Sequence, residues 1–187
     1  MQDISVIILT YNEEIHIRRC LENVRKFARQ AFVVDSFSTD NTTSIAKEFG
    51  AVVVQHKFEN YARQFNWALQ NLPIETEWVV RLDADEYFSD ELIAEIESTL
   101  PNTPDDVNGY TAPRLLYFMN KFVHHGVLPL VLLRLFRYKH AAIEDKWMDE
   151  HIYLTSGRSV DLKNPFYDHN LNGLTFWTQK HNGYSTR

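Results

Sequence analysis

Asp83, Asp85 and Glu86 put three acids within four residues of the stretch EWVVRLDADEYFSDELI (77–93). An apolar run, Trp78-Val79-Val80, leads into them through Arg81 and Leu82. In an extended segment residues i and i+2 face the same side, so Asp83 and Asp85 present their carboxylates together. Like charges so placed resist joint ionisation unless something positive lies between them. A bound Mg²⁺ or Mn²⁺ would supply that charge. Such hard cations take oxygen ligands, keep several waters and bind substrate phosphates. A solvated loop ahead of a helix is the plain alternative for an Asp-x-Asp taken alone.

Other residues could share that chemistry. Asp35 closes the run AFVVD (31–35) and could accept hydrogen bonds from a nucleobase or ribose. Ser38 and Asp40 beyond it read as turn and N-cap residues. Thr10 and Glu13 have the spacing of a capping box, which accounts for them without a ligand. Tyr11 and Asn12 lie at the tip of the same turn, where a ligand would sit beside them. Arg63 and Asn66 stand about one helical turn apart, and Arg63 could reach a phosphate or base, or simply face water. In MDEH (148–151), Asp149 or Glu150 could serve as a general base if it faces the cation across a cleft. His169 in YDHN is a possible further metal ligand, although a lone histidine is more often structural.

These residues need a frame that brings them together. ISVIIL (4–9), AFVVD (31–35), AVVVQ (51–55) and EWVVRLD (77–83) read as strands. Between them, Ile17, Leu21, Val24 and Ala28 recur at helical spacing. Thr42 to Phe49 is a short helix stopped by Gly50, and YARQFNWALQN (61–71) is a helix ended by Pro73. SDELIAEIESTL (89–100) is a helix with Ser89 as its N-cap and acids in its first turn. Strands alternating with helices imply a mostly parallel sheet covered on both faces. After PNTPDD (101–106) the rhythm changes, and GYTAPRLLYF and VLLRLFRY look like longer, mixed strands. In open α/β sheets ligands sit at the carboxyl ends of the strands. TYNEE, DSFSTD and DADE all fall at such ends, so one edge is expected to hold a cation and an anionic group attached to it.

The chain's 187 residues suit a single domain with its own core. A net charge of −6 argues against a nucleic-acid partner, which calls for a basic face. The single cysteine, Cys20, excludes an intrachain disulfide and suits a reducing compartment. No signal peptide is visible, and the most apolar later stretch, VLPLVLL (127–133), is far shorter than the roughly 20 residues of a membrane span. The sequence stops at WTQKHNGYSTR, inside a helical pattern. A further C-terminal part, able to touch a membrane, is therefore expected.

VIILTYNEE, VVDSFSTDNT and WVVRLDADE, in that order, resemble the inverting glycosyltransferase family 2 of GT-A fold. LRLFR, MDEHI and LTFWTQKHNGYSTR are similar to its bacterial lipopolysaccharide-core and exopolysaccharide branch. The resemblance covers nearly the whole chain. It implies one GT-A domain, with residues 1–100 binding the nucleotide-sugar and 101–187 facing the acceptor. It implies that Thr10, Tyr11, Asn12, Glu13, Asp35 and Arg63 line the nucleotide of a UDP- or GDP-sugar. Asp83 would contact ribose or metal, and Asp85 would bind the Mg²⁺ or Mn²⁺ that bridges the diphosphate. An acid of the later motif would deprotonate a saccharide or lipid-linked acceptor, with Glu150 preferred over Asp149. The implied setting is the cytoplasm, at the inner face of the membrane.

Two departures stand out. Phe37 and Asn41 occupy positions where similar sequences carry glycine, and Phe37 is poorly suited to left-handed backbone. HHGVLPLVLLRLF lacks the aromatic-acidic run that often precedes LRLF in this branch. Two other function classes fit part of the pattern. A sugar-nucleotide nucleotidyltransferase would be expected to carry a glycine-rich basic loop after the first strand, where TYNEE stands. A nucleotide-sugar-binding or scaffold domain would bind without turnover.

Overall fold

Alternate residues of β1 (Gln2–Thr10) enter two different cores. Ile4, Val6 and Ile8 join one cluster, and Ile7 and Leu9 the other. A strand buried on both faces requires cover on both, and the amphipathic helices provide it. The computed structural model describes residues 2–119, 121–123, 130–145 and 150–184. Its first half runs β1, α1 (Glu14–Val24), β2 (Ala28–Asp35), α2 (Thr42–Glu48), β3 (Val52–Gln55), α3 (Tyr61–Asn71), β4 (Trp78–Asp83), β5 (Glu86–Phe88) and α4 (Asp90–Thr99). Helix α1 buries Ile17, Cys20, Leu21 and Val24 in the first cluster, and α4 adds Leu92, Ile93 and Ile96. Helix α3 buries Ala62, Phe65 and Ala68 in the second.

β3, β2, β1 and β4 lie side by side and are all parallel. The register sets Thr10 beside Asp35 and Leu9 beside Asp83, so the polar strand ends share one edge. The second half contributes β6 (Val107–Phe118), β7 (Lys121–Val123), β8 (Leu130–Arg137), β9 (Ala141–Ile143), β10 (Ile152–Leu154), β11 (Arg158–Asp161), β12 (Phe166–Asp168) and α5 (Leu174–Tyr184). β8 joins β4 antiparallel and β6 joins β8, which extends the sheet as mixed strands. β12 then sits between β6 and β5 and buries Phe166 completely. The chain therefore passes from the second half back to the strand next to Asp85.

Local expectations hold where the signal is local. Ser89 caps α4, its Oγ accepting from the Leu92 N–H at 3.0 Å. Two differ. Ala28 belongs to β2, because α1 ends at Val24 and the chain turns before it. Thr10 and Glu13 do not form a capping box. Glu13 occupies the N-cap position without a side-chain cap, and Thr10 is the last residue of a strand. The donors at the start of α1 are met from the loop after β2 and the first residue of α2 instead. Glu13 N–H donates to Thr42 Oγ1 at 2.8 Å and Glu14 N–H to Asp40 Oδ2 at 3.0 Å. That cross-loop cap replaces the local one and ties the first two motifs together.

Candidate active site

The edge is assembled from three loops. Thr10 Oγ1 donates to Asp35 Oδ1 at 3.1 Å, Asn12 N–H donates to Ser38 Oγ at 2.8 Å, and Thr39 N–H donates to Asn12 Oδ1 at 2.8 Å. Asp35 is fully buried. It also accepts from Ser38 N–H at 2.9 Å, Ser38 Oγ at 2.5 Å and Gln55 Nε2 at 3.4 Å. Asp35, which the sequence points to as facing a ligand, holds this loop together through its carboxylate. The side chains it leaves outside are Tyr11 and Phe37, 59% and 54% exposed. Asn12 and Phe37 hold positive φ angles of 55° and 63°. Asn41, at φ −82°, does not need the left-handed backbone that its position suggested.

Glu13 has turned to α1, where its Oε2 lies 2.5 Å from His16 Nδ1. Arg63 is exposed at the start of α3, 2.8 Å from Glu59 and 3.4 Å from Asp145. Asn66 is structural: it brackets the Ile143 backbone, donating to its carbonyl at 3.1 Å and accepting from its N–H at 3.2 Å.

The charge that offsets the acids is built into the strand that carries them. Arg81 sits on β4 two residues before Asp83, and its side chain is 9% exposed. Its Nη2 lies 3.6 Å from Asp83 Oδ1 and 3.5 Å from Glu150 Oε1. Although burial opposes the charge, the carboxylates of Asp83, Glu86 and Glu150 hold the Arg81 guanidinium above its ordinary value. Glu150 thus faces Asp83 across one guanidinium. Its loop is set by the β9–β10 pair, with Ile143 opposite Ile152 and Glu144 N–H donating to the His151 carbonyl at 3.1 Å. Asp149 lies outside the described residues, as does 124–129 of the HHGVLP stretch. Arg81, Asp83 and Glu150 line a cleft of about 930 Å³, with β8 and β10 forming an apolar wall and Arg114 and Arg158 further along.

Glu86 lies beneath this cleft. It accepts from Asp83 N–H at 3.0 Å and from Arg134 Nη2 at 2.5 Å. Complete burial pushes its carboxyl up to about 8 against the pull of Arg134. Asp168, 3.5 Å from Arg114, is pushed up to about 6 by burial and then by the Asp85 and Asp83 charges. The His169 backbone N–H donates to the Asp85 carbonyl at 3.0 Å, which ties the backbones of the two candidate metal ligands together beside the β5–β12 pair. Burial first, then the adjacent Arg19, lowers the His169 pKa, and its ring lies 4.0 Å from that of Tyr117. Asn170 Nδ2 donates to Asp85 Oδ2 at 2.9 Å. Among the described residues no three His, Cys, Asp or Glu side chains converge as a ready-made cage for a cation. The donor set nonetheless fits Mg²⁺ or Mn²⁺, which need one or two carboxylates and take remaining ligands from water and substrate phosphates. Sequence reasoning passed over Arg81, Arg134, Arg19 and Asn170. Of these, only the placement of Arg81 two residues before Asp83, hence on the same strand face, offered a signal.

A curled, mostly parallel sheet bearing acids at its strand ends, extended by mixed strands beside a cleft, is the GT-A arrangement. It matches a mannosyltransferase from Pyrobaculum calidifontis, solved in complex with GDP-Man and Mn²⁺, at a TM-score of 0.65 and 18% identity over 96% of this chain and 60% of that one. The model of glycosyl transferase family 2 matches residues 5–160, and the chain belongs to that family. An uncharacterized glycosyltransferase of Rickettsia typhi is 31% identical over 179 residues, 94% of this chain and 60% of that protein. The lipopolysaccharide core biosynthesis glycosyltransferase LpsC of Rhizobium meliloti is 27% identical over 121 residues, 62% of this chain and 43% of that protein. The chain therefore spans about 60% or less of the length of these relatives.

Proposed function

We propose that the chain carries the catalytic domain of an inverting glycosyltransferase that moves a sugar from a UDP- or GDP-sugar to a saccharide or lipid-linked acceptor. The single observation that carries the reading is the placement of Glu150 opposite Asp83 across Arg81, on the edge where the first two motifs interlock. Residues 1–187 are read as one domain, 1–100 binding donor and 101–187 facing acceptor. Tyr11 and Asn12, with Thr10, Glu13 and Asp35 shaping the loop, lie where a nucleotide would rest, and Arg63 stands at the rim. Asp85, Asp83 and His169 would hold Mg²⁺ or Mn²⁺. When bound, that ion offsets charge on the departing nucleoside diphosphate as a Lewis acid.

Glu150 takes the proton of the acceptor hydroxyl. The acceptor oxygen bonds to the anomeric carbon from the face opposite the diphosphate, and the breaking bond leaves its electron pair on the phosphate oxygen. One displacement inverts the centre. Arg81 keeps the two carboxylates from repelling each other before substrates arrive. The likeness to LpsC, with LRLFR and MDEHI, supports a role in cell-surface polysaccharide synthesis. Leu174, Phe176 and Trp177 of α5 are each more than two-fifths exposed, which supports contact with the inner face of the cytoplasmic membrane.

A panel of UDP- and GDP-sugars, assayed for transfer and donor hydrolysis with Mn²⁺ and with EDTA, tests this. Turnover is expected with the cation alone. Glu150→Gln should keep nucleotide affinity and lose about 10²–10⁴-fold in rate. Binding without any turnover would point to a scaffold, and nucleoside triphosphate or pyrophosphate chemistry to a nucleotidyltransferase.

A further inference from the structure

We propose that Arg19 of α1 is a positioning residue for the cation site, holding Asp85 and His169 in register by donating to a backbone carbonyl of each. The inference rests on the preceding reading that both residues face the cation. Arg19 Nη2 donates to the Asp85 carbonyl at 3.1 Å and to the His169 carbonyl at 2.5 Å. Its guanidinium also lies 4.8 Å over the ring of Tyr87, which follows the acidic turn on β5. One half-buried side chain therefore touches the turn after β4, the strand beyond it and the segment after β12.

Arg19 does not act by itself. His16 lies about one turn earlier on the same helix and is fully buried. Its Nε2 accepts from Leu171 N–H at 2.8 Å, pinning the chain two residues past His169. Asn170 closes the arrangement from the other side through Asp85 Oδ2 at 2.9 Å. A helix from the nucleotide half thus clamps a segment from the acceptor half onto the acidic turn.

A positive group beside a cation site would ordinarily weaken cation binding. Arg19 directs its N–H groups at carbonyl oxygens, so those oxygens are occupied and the carboxylates and imidazole remain to serve as ligands. Two opposed effects can then be separated. Losing outer-shell partners of metal ligands typically weakens metal affinity about 10–100-fold. Removing a repulsive charge near a solvated edge would strengthen it by roughly several-fold in the dielectric of water. Positioning should win.

The experiment is a titration of Mn²⁺ alone, then of Mn²⁺ with UDP and with GDP, followed by electron paramagnetic resonance of the free ion. The proteins are wild type, Arg19→Met, Arg19→Lys and Asp85→Asn, and their melting is compared in EDTA. Arg19→Met should weaken Mn²⁺ binding about 10–100-fold while melting close to wild type. Arg19→Lys should fall between, because an ammonium cannot match the planar fork. Unchanged or tighter Mn²⁺ binding by Arg19→Met, beside loss in Asp85→Asn, overturns the role of Arg19 and leaves the cation site standing. Wild-type binding by Asp85→Asn overturns the cation assignment and with it the Arg19 role. A collapse of melting in both Arg19 variants, with no rescue by lysine, makes Arg19 a general structural residue and also overturns the inference.

Discussion

Phe37 shows at the scale of one residue the backbone that the loop after β2 requires. Its φ of 63° lies in the left-handed region, and its ring is 54% exposed. Left-handed backbone costs a residue with a side chain roughly 1–2 kcal/mol. Glycine's extra freedom in the unfolded chain costs about 0.5–1 kcal/mol. The first term is larger, so Phe37→Gly should be more stable than Phe37→Ala, which also lacks the ring, by about 0.5–1 kcal/mol, read as a higher urea midpoint. A lower midpoint would mean that the backbone there is not strained. The acidic pair belongs to the same scale. Glu150→Gln should abolish most transfer, and Asp149→Asn should be milder. Because adjacent residues of an extended chain face opposite ways, the reverse ranking would exchange their roles.

At the scale of elements, the position of Glu150 depends on how β9 is attached to α3. Asn66 bridges them through both backbone groups of Ile143, whose side chain is 3% exposed. Asn66→Ala strands an N–H and a C=O together. A buried polar group without a partner costs about 1–3 kcal/mol, so the variant should lose about that much or more in urea unfolding. Because β9 pairs with β10 just after Glu150, transfer should slow more than nucleotide binding weakens. Measuring the two side by side on one preparation checks this, and equal losses would mean that the hairpin does not position the base.

Across the whole molecule, the two halves meet through buried charge. Glu86 of β5, Arg134 of β8, Asp168 of β12 and Arg114 of β6 lie where the parallel and mixed parts of the sheet join. Glu86 has an ordinary value of 4.5 and is pushed up to about 8 in the folded chain. Between those values the folded state holds a proton that the unfolded state has lost. The stability gained from this group is complete below about 4.5 and falls as pH rises through about 8. In EDTA, wild type should therefore lose stability on going from about pH 5 to about pH 8.5, and Glu86→Gln should lose less over the same range. Urea unfolding at several pH values measures both slopes. Parallel curves would show that Arg134 keeps Glu86 ionised throughout.

Much of the frame was legible from neighbours along the chain. The apolar runs and helical spacings placed β1, α3 and β4 closely, and the Ser89 cap started α4, because periodicity and capping are local. Asp83 and Asp85 could be paired from the two-residue repeat of an extended strand. Which charges meet was a different matter. Arg81 reaches Glu150, Arg134 reaches Glu86 and Arg19 reaches His169 only after β8 and β12 enter the sheet. Those contacts span long stretches of sequence, and no local pattern encodes them. The same holds for Asp35, whose burial depends on Thr10 and Gln55 from flanking strands, and for the start of α1, capped by Asp40 and Thr42 of the next loop. The sequence alone determined most elements of the first half and the strand ends at which the acids stand. Only the tertiary structure decided which acids are neutralised, which are left facing the cleft and what holds them there, because pairing buried charges depends on partners that folding alone brings within hydrogen-bond reach.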